Sequence, residues 1–486
     1  MNNAKTNFAL DHETRRQLGY QLIDRINSYF DSLPDRAVQL PAGKRTFGHL
    51  TDAMPELGDD APRVLGDITT ELIDKGFHVP AANYFGLMNP TPTYVAVLAE
   101  ALVAALNPQL ASLARSQLAS KIEAETVRWI GERVGWSSAF DGTFTSGGNE
   151  ANFSALAMAL ATHFPSSVEE GVASIGARPV LYASAESHHS LDKSVGLLGL
   201  GRRALRRIPV NSRMQLDLTI LESEIREDLA KGYKPFCIVG TAGTTNSGAV
   251  DDLVALADIA RLHKLWFHVD GAYGAAAILS DQHRDLVRGI ELSDSITIDP
   301  HKWLAMPFAA GIVLTRHSAS LQNTFGVSTP YMPKIAGATM IDNFKVSAQW
   351  SRRMNSLKLW LTLKIHGRHA YEELIHRQLH LAHTFADWIR HSDQFELAID
   401  PQLTIVNFRL KDPSLSESEL AAAHARLVEE VTIDGQRWIS STIANGRSVL
   451  RMMVISYLTE ERHLHALEDA LFAASKKILQ PESNSA

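Results

Sequence analysis

The chain has 486 residues, with 47 Lys and Arg against 54 Asp and Glu, a net charge of −7. Hydrophobic residues at 45% and charged residues at 21% belong to an ordinary globular protein with a sizeable core, which excludes a fibrous chain, a disordered tract and a small stapled scaffold. The mild acidity and the lack of a long basic block argue against nucleic-acid binding by counterion release, and no nucleic-acid partner is expected.

A single cysteine, Cys237, can form neither an internal disulfide nor a cysteine-rich metal site, so a reducing cytoplasmic setting is expected. The opening residues reach acidic Asp11 and Glu13 before any long apolar stretch, so no secretory leader is expected. Helix-like stretches follow at 15–33 and 61–75, with no strand of the parallel-sheet kind. Residues 94–106 are the most hydrophobic segment. They contain Glu100 and end at Asn107-Pro108, too short to span a bilayer, and read as a buried helix, so no membrane partner is expected.

A helical pattern over 110–130 leads into Phe144-Thr145-Ser146-Gly147-Gly148-Asn149-Glu150 and an Ala-rich helix over 151–162. Glycines that open a helix leave backbone N–H groups free at its positive end, where a phosphate can be held. Apolar runs at 179–183, 235–241, 265–269, 295–298 and 311–315 then alternate with helix-like stretches at 216–230 and 252–263. Such runs predict a mostly parallel sheet covered on both faces, with ligands bound beyond the carboxyl ends of its strands. Past Trp350, a long helix over 357–390, broken near Gly367, leads to alternating segments at 403–410, 417–429, 449–457 and 460–479. The expected organisation is a helical arm or cap at 1–90, a large α/β domain at 91–370 and a small α+β domain at 371–486, with a polar, disordered tail at 481–486.

The chemistry-bearing residues fall at predicted strand ends. The run at 265–269 delivers Asp270, with small Gly271 and Ala272 beside it, where a flat ligand can approach the backbone. A buried carboxylate needs a partner, and a cationic ring nitrogen suits it. The next run delivers Asp299-Pro300-His301-Lys302-Trp303, in which Lys302 is a candidate Schiff-base lysine.

Three motifs, Ser146–Asn152, His268–Gly274 and Asp299–Trp303, resemble those of the pyridoxal-phosphate-dependent group II amino-acid decarboxylases, which include aromatic-L-amino-acid, glutamate and diaminobutyrate decarboxylases. The resemblance runs from about Tyr84 to about Tyr457. It implies the fold of the aspartate-aminotransferase type (fold type I), the cofactor pyridoxal 5'-phosphate, an L-amino-acid substrate, and a homodimer whose amino-terminal arm wraps the partner. It also implies roles for individual residues. Lys302 would form the internal aldimine and Asp270 would hold the ring nitrogen protonated. Gly147, Gly148 and Asn149 would receive the phosphate, and His188 would stack on the ring and take part in proton transfer. Ala272, Asp299, His301 and Thr245 would lie close to the cofactor. Arg451 would bind the substrate carboxylate, and Tyr84 and Phe85 would line the substrate pocket.

One departure bears on the product. Relatives carry on a mobile loop a tyrosine that protonates the carbanion. Counting back from Ser356-Leu357-Lys358-Leu359-Trp360 reaches Asn343, with Phe344 beside it, and the nearby tyrosine is Tyr331. Phenylalanine at that position accompanies aldehyde formation in plant relatives. Either Tyr331 reaches in from the start of the loop and the expected amine is released, or that donor is absent, which makes oxidative decarboxylation to an aldehyde the alternative; a non-catalytic protein of this fold and an aminotransferase are the remaining readings. His376, His380 and His383 fall at i, i+4 and i+7 of a predicted helix, but no HExxH accompanies them and no metal is expected. Gly196–Gly201 has the wrong spacing for a dinucleotide fingerprint, and neither a phosphate-binding GxxxxGK[ST] nor a GxSxG elbow occurs.

Overall fold

The computed structural model describes residues 8–41, 43, 53–137, 139–331 and 340–479. The tail at 481–486 lies outside them. Seven strands form the main sheet: β1 (Asp141–Thr145), β2 (Pro179–Ser184), β3 (Leu205–Ile208), β4 (Lys234–Thr241), β5 (Trp266–Asp270), β6 (Ser295–Ile298) and β7 (Gly311–Thr315), in the order β1-β7-β6-β5-β4-β2-β3. Strands β3, β2, β4, β5 and β6 pair in parallel, and β7 runs antiparallel to both neighbours. Successive residues of the central strands serve opposite faces. Tyr182, Ile238, Phe267, Val269, Ile296 and Ile312 pack into one apolar cluster, while Leu181, Ala183, Cys237, Val239, Trp266 and Val313 pack into another. Burial on both faces is why these strands read as continuous apolar runs.

A second sheet, antiparallel throughout, has the order β10-β11-β9-β8, from β8 (Phe395–Leu397), β9 (Ile405–Leu410), β10 (Ser440–Ala444) and β11 (Arg447–Met453). Its core joins Phe395, Val406, Phe408, Leu450 and Met452 to Phe385, Leu427 and Leu467 of the flanking helices. The helix Ser356–His391 links the two sheets and breaks its helical backbone at Gly367, where φ is +74°. The expected boundary at 370/371 falls inside this helix, just past the break.

Helices α1 (His12–Ser32) and α2 (Ala61–Lys75) pack on each other and bury no residue. The residues after them behave differently. Val38, Ala81 and Tyr84 form a small buried cluster with Trp438 against it, and Phe85 enters the core of the second sheet. Near the end of the expected 1–90 segment, an apolar Tyr-Phe pair is thus sealed into the body of the protein. Helices α3 (Tyr94–Leu106) and α4 (Leu113–Val134) precede β1, and α5 (Gly148–His163) follows it. Among the described residues no helix is long and apolar enough to cross a membrane.

Candidate active site

Parallel pairing places the carboxyl ends of β2, β4, β5 and β6 along one edge, so segments distant in sequence converge there. Strand β5 ends on Asp270, whose register partners are Thr241 at the end of β4 and Thr297 on β6. One residue beyond β6, Asp299 receives the Lys302 ammonium, with Nζ 3.1 Å from Oδ2, and the His301 Nε2 lies 3.5 Å from the same oxygen. Asp299 is 3% exposed and its Oδ1 has no hydrogen-bond partner.

Burial pushes the Asp299 carboxyl up to about 6, against the pull of Lys302. Burial and the Lys302 charge together drop His301 to about 3, and its Nδ1 accepts the Ala310 N–H at 3.0 Å, so the imidazole is neutral at pH 7. A prediction follows for the ligand-free protein. Between the ordinary carboxyl value of 3.8 and about 6 the folded state binds a proton at Asp299 that the unfolded chain has released, so this group's contribution to stability falls as pH rises through that window. Denaturant midpoints compared with Asp299→Asn from pH 4 to 7 should show the variant gaining on the native protein over this range.

Both Asp270 oxygens accept N–H groups: Oδ1 from the Ala272 backbone at 3.2 Å and Oδ2 from Asn152 Nδ2 at 2.8 Å. Asn152 stands on the first turns of α5 and also donates to Ser190 Oγ. Sequence reasoning gave it no role. The signal available was a polar residue at the inner end of an otherwise Ala-rich helix, two positions beyond Glu150.

The turn from β1 into α5 is built for close approach. Gly147 has φ +151°, a backbone region open essentially only to glycine, and no side chain caps the helix. A Cβ on Gly147 would stand 3.1 Å from His301 Cε1, and one on Gly148 would stand 2.7 Å from Asp299 Oδ2. The N–H groups of Gly148 and Asn149 find no acceptor among the described residues. An uncapped, 16-residue helix pointing free N–H groups at a cavity suits a phosphate. Together with an amine at Lys302 and an anion at Asp270, these residues fit the phosphate-bearing aldehyde cofactor that the motifs imply.

His188 follows β2. Its Nδ1 accepts the Ser190 N–H at 3.1 Å, so Nε2 carries the hydrogen of the neutral ring, and burial holds the imidazole below its usual pKa. Arg451, on β11, bridges the two sheets: Nε donates to Ser440 Oγ at 3.2 Å and Nη1 to the Thr245 carbonyl at 2.9 Å. Lys302, Asp270, Asp299, His188, His301, Gly147, Gly148, Asn149, Thr245, Ala272 and Arg451 all line one cavity of about 450 Å³. Leu87, Met88, Phe308, Ile405 and Met453 give that cavity an apolar wall.

Two expected substrate residues do not line it. Tyr84 stacks on Trp438 with centroids 5.5 Å apart and turns its hydroxyl to the Leu87 N–H at 3.1 Å, so it buttresses the wall from behind. Phe85 is wholly buried in the small-sheet core, where it packs rather than touches a ligand.

Neither residue reached by counting back from Ser356 belongs to an exposed loop. Asn343 is buried and donates to Ser120 Oγ at 2.8 Å, and buried Phe344 stacks on Trp350 at 4.7 Å. Tyr331, by contrast, is 71% exposed and, among the described residues, stacks on Trp350 with centroids 6.2 Å apart. His376, His380 and His383 line a larger and more open depression of about 780 Å³, away from these groups; among the described residues no three His, Cys, Asp or Glu side chains are grouped to hold a metal ion. The volume of that depression does not make it the site, because the convergent charges and free N–H groups are in the smaller cavity.

Residues 44–411 match the pyridoxal-dependent decarboxylase conserved domain. The chain is 32% identical to an aromatic-L-amino-acid decarboxylase of Bacillus atrophaeus, over 93% of each chain, and 26% identical to a phenylacetaldehyde synthase of Arabidopsis thaliana, over 94% of each. Among solved structures, the glutamate decarboxylase domain of a diaminobutyrate-pyruvate transaminase and L-2,4-diaminobutyrate decarboxylase from Vibrio parahaemolyticus superposes with a TM-score of 0.83, at 26% identity and 97% coverage of both chains. With most of its length matched and its strand-end residues gathered in one cavity, the chain belongs to the pyridoxal-dependent decarboxylases, carboxy-lyases that use pyridoxal 5'-phosphate.

Proposed function

We propose that the protein decarboxylates an L-amino acid with a bulky apolar side chain, most simply an aromatic one, and releases the amine. The observation that carries this reading is the cavity's composition: an amine, two acids and an arginine beside an uncapped helix, closed by Leu87, Met88, Phe308, Ile405 and Met453. Among the described residues its only lining acids are Asp270 and Asp299, already held by Asn152 and Lys302, so a cationic side chain such as that of 2,4-diaminobutyrate finds no free carboxylate among them. The similarity to an aromatic-L-amino-acid decarboxylase supports the same choice.

When bound, pyridoxal 5'-phosphate supplies an aldehyde that takes up an amine and a ring that accepts the electron pair of the breaking carbon–carbon bond. Lys302 would hold the aldehyde, Asp270 the ring nitrogen, and the Gly148 and Asn149 N–H groups the phosphate. His188 would contact the ring, presenting the hydrogen on Nε2. Asp299 keeps the Lys302 amine at a fixed place, and the low pKa of His301 leaves no second cation beside it. Arg451, tethered to Thr245 and Ser440, would orient the substrate carboxylate with the rest of its guanidinium. The apolar wall excludes water from the bond that breaks.

Amine release needs a proton at the carbon that loses CO2. Tyr331 is the group assigned to deliver it, since Asn343 and Phe344 are packed away and Tyr331 is exposed. A phenol delivered by Tyr331 would favour the amine over the aldehyde made by the Arabidopsis relative. The unburied arm, with Tyr20, Leu72 and the α3 residues Leu98, Leu102 and Leu106 exposed, supports a homodimer in which a second copy covers these apolar groups. A cytoplasmic location fits its one buried thiol, Cys237.

The test is a panel of amino acids with CO2, amine, aldehyde and ammonia measured together. Phenylalanine, tyrosine or tryptophan should give amine and CO2 in equal amounts, with kcat/KM at least about a hundredfold above that for 2,4-diaminobutyrate, the scale of an unpaired charge in an apolar pocket. A preference for the diamino acid would overturn the substrate assignment.

A further inference from the structure

Behind Asp270 lies a chain of buried polar groups in which the direction of every hydrogen bond can be assigned. Asn152 must turn its Nδ2 to Asp270 Oδ2, 2.8 Å away, because an amide oxygen there would face a carboxylate oxygen. Its Oδ1 therefore faces two donors, Thr297 Oγ1 at 2.7 Å and His268 Nε2 at 3.0 Å. That fixes the His268 hydrogen on Nε2. Burial holds the imidazole below its usual pKa, so it is neutral and Nδ1 is bare.

The bare nitrogen lies 2.9 Å from Ser295 Oγ, and that hydroxyl already accepts the Trp266 indole N–H at 2.8 Å, which leaves its own hydrogen to donate to His268. Nδ1 also stands 3.1 Å from the Ser295 carbonyl. The order is thus Trp266 to Ser295 to His268 to Asn152 to Asp270, each member donating toward the carboxylate. Every residue in it is at most 4% exposed. Aligned donors polarise one another, and the first members sit on β5 and β6, which do not move independently of Asp270.

We infer that Asn152, His268 and Ser295 are positioning residues that hold the Asp270 carboxylate in plane and direct its remaining acceptor sites into the cavity, so that a hydrogen-bond order inside the core sets how tightly the cofactor ring is held and at which pH its charge changes. Two of these residues, His268 and Ser295, do not line the cavity and act only through others. The inference rests on the proposed meeting of Asp270 with the ring nitrogen.

The experiment compares the native protein with Asp270→Asn, His268→Leu, His268→Gln and Ser295→Ala. Apo-protein is titrated with pyridoxal 5'-phosphate, the visible absorption of the loaded protein is followed against pH, and the thermal midpoint of each apo-protein is recorded. His268→Leu should weaken cofactor binding about tenfold or more and displace the spectral pH midpoint. His268→Gln, which can donate to Asn152 and accept from Ser295 in the same order, should stay within about threefold. Ser295→Ala should shift both readouts in the direction of His268→Leu, and it carries the test if the leucine variant does not fold. The inference is overturned if the leucine, glutamine and alanine variants all bind within about twofold of the native protein with an unmoved spectral midpoint while Asp270→Asn loses affinity. If Asp270→Asn itself binds normally, the proposed role of Asp270 fails first, and the positioning role with it.

Discussion

Replacing Lys302 by alanine lowers kcat by at least about a thousandfold, while the protein still folds and still takes up the cofactor through its phosphate and ring contacts. The reason is local. Among the described residues Lys302 is the only lysine lining the cavity, and Asp299 fixes its Nζ at 3.1 Å. No neighbouring side chain can substitute: His301 is held neutral by burial, and Arg451 is tied to Ser440 and Thr245. The same substitution strands the Asp299 carboxyl, whose Oδ1 already lacks a partner. Loss of its cation raises a pKa that already stands at about 6, so the alanine variant should lose more stability than the native protein as pH rises above neutrality. Rate assays with denaturant midpoints at pH 6 and 8 check both statements. Full activity in the alanine variant would show that another group does the work.

Replacing Tyr331 by phenylalanine changes the product. With no phenol to deliver a proton, amine formation should fall by about a hundredfold or more. The electron-rich carbon left by CO2 loss then has oxygen as its competing partner. One amino acid, one O2 and one water give one aldehyde, one CO2, one ammonia and one hydrogen peroxide. Oxygen-electrode traces with peroxide and ammonia assays measure this. A native protein that already consumes oxygen in step with CO2 would contradict the assignment of amine release and leave Tyr331 without its role.

What could be read from the sequence followed from burial. Strands β2, β4, β5, β6 and β7 are covered on both faces and announce themselves as apolar runs, and their ends deliver Asp270 and the Lys302 loop in plain view. Strand β3, Leu-Arg-Arg-Ile, lies at the sheet's edge, where Arg206 pairs with Asp228 and Arg207 with Asp192, and β10, Ser-Ser-Thr-Ile-Ala, is half exposed. Neither resembles a buried strand, and neither was expected. Strand β1, Asp-Gly-Thr-Phe-Thr, closes the other edge against β7 and was missed for the same reason.

The site shows the same division. Lys302, Asp270 and the glycines are marked by small or rigid neighbours in sequence. Asn152 meets Asp270 across 118 positions of chain, a contact that no local pattern records. Phe85 was misread because it adjoins residues that do shape the pocket wall; its burial in the small-sheet core is decided by Phe385, Phe408 and Leu450, all far along the chain. Counting back reaches Asn343, whose burial against Ser120 could not be read from the sequence, because spacing along a loop carries no information about which residues fold back onto the body.

Lys302 is the side chain that would carry the cofactor. Borohydride reduction of the loaded protein, followed by proteolysis and mass spectrometry, tests it directly. One modified peptide per chain is expected, with the reduced pyridoxyl phosphate on Lys302 and nowhere else. A labelled peptide bearing the group on Lys358 or another lysine, or none labelled while the protein remains active, would contradict it.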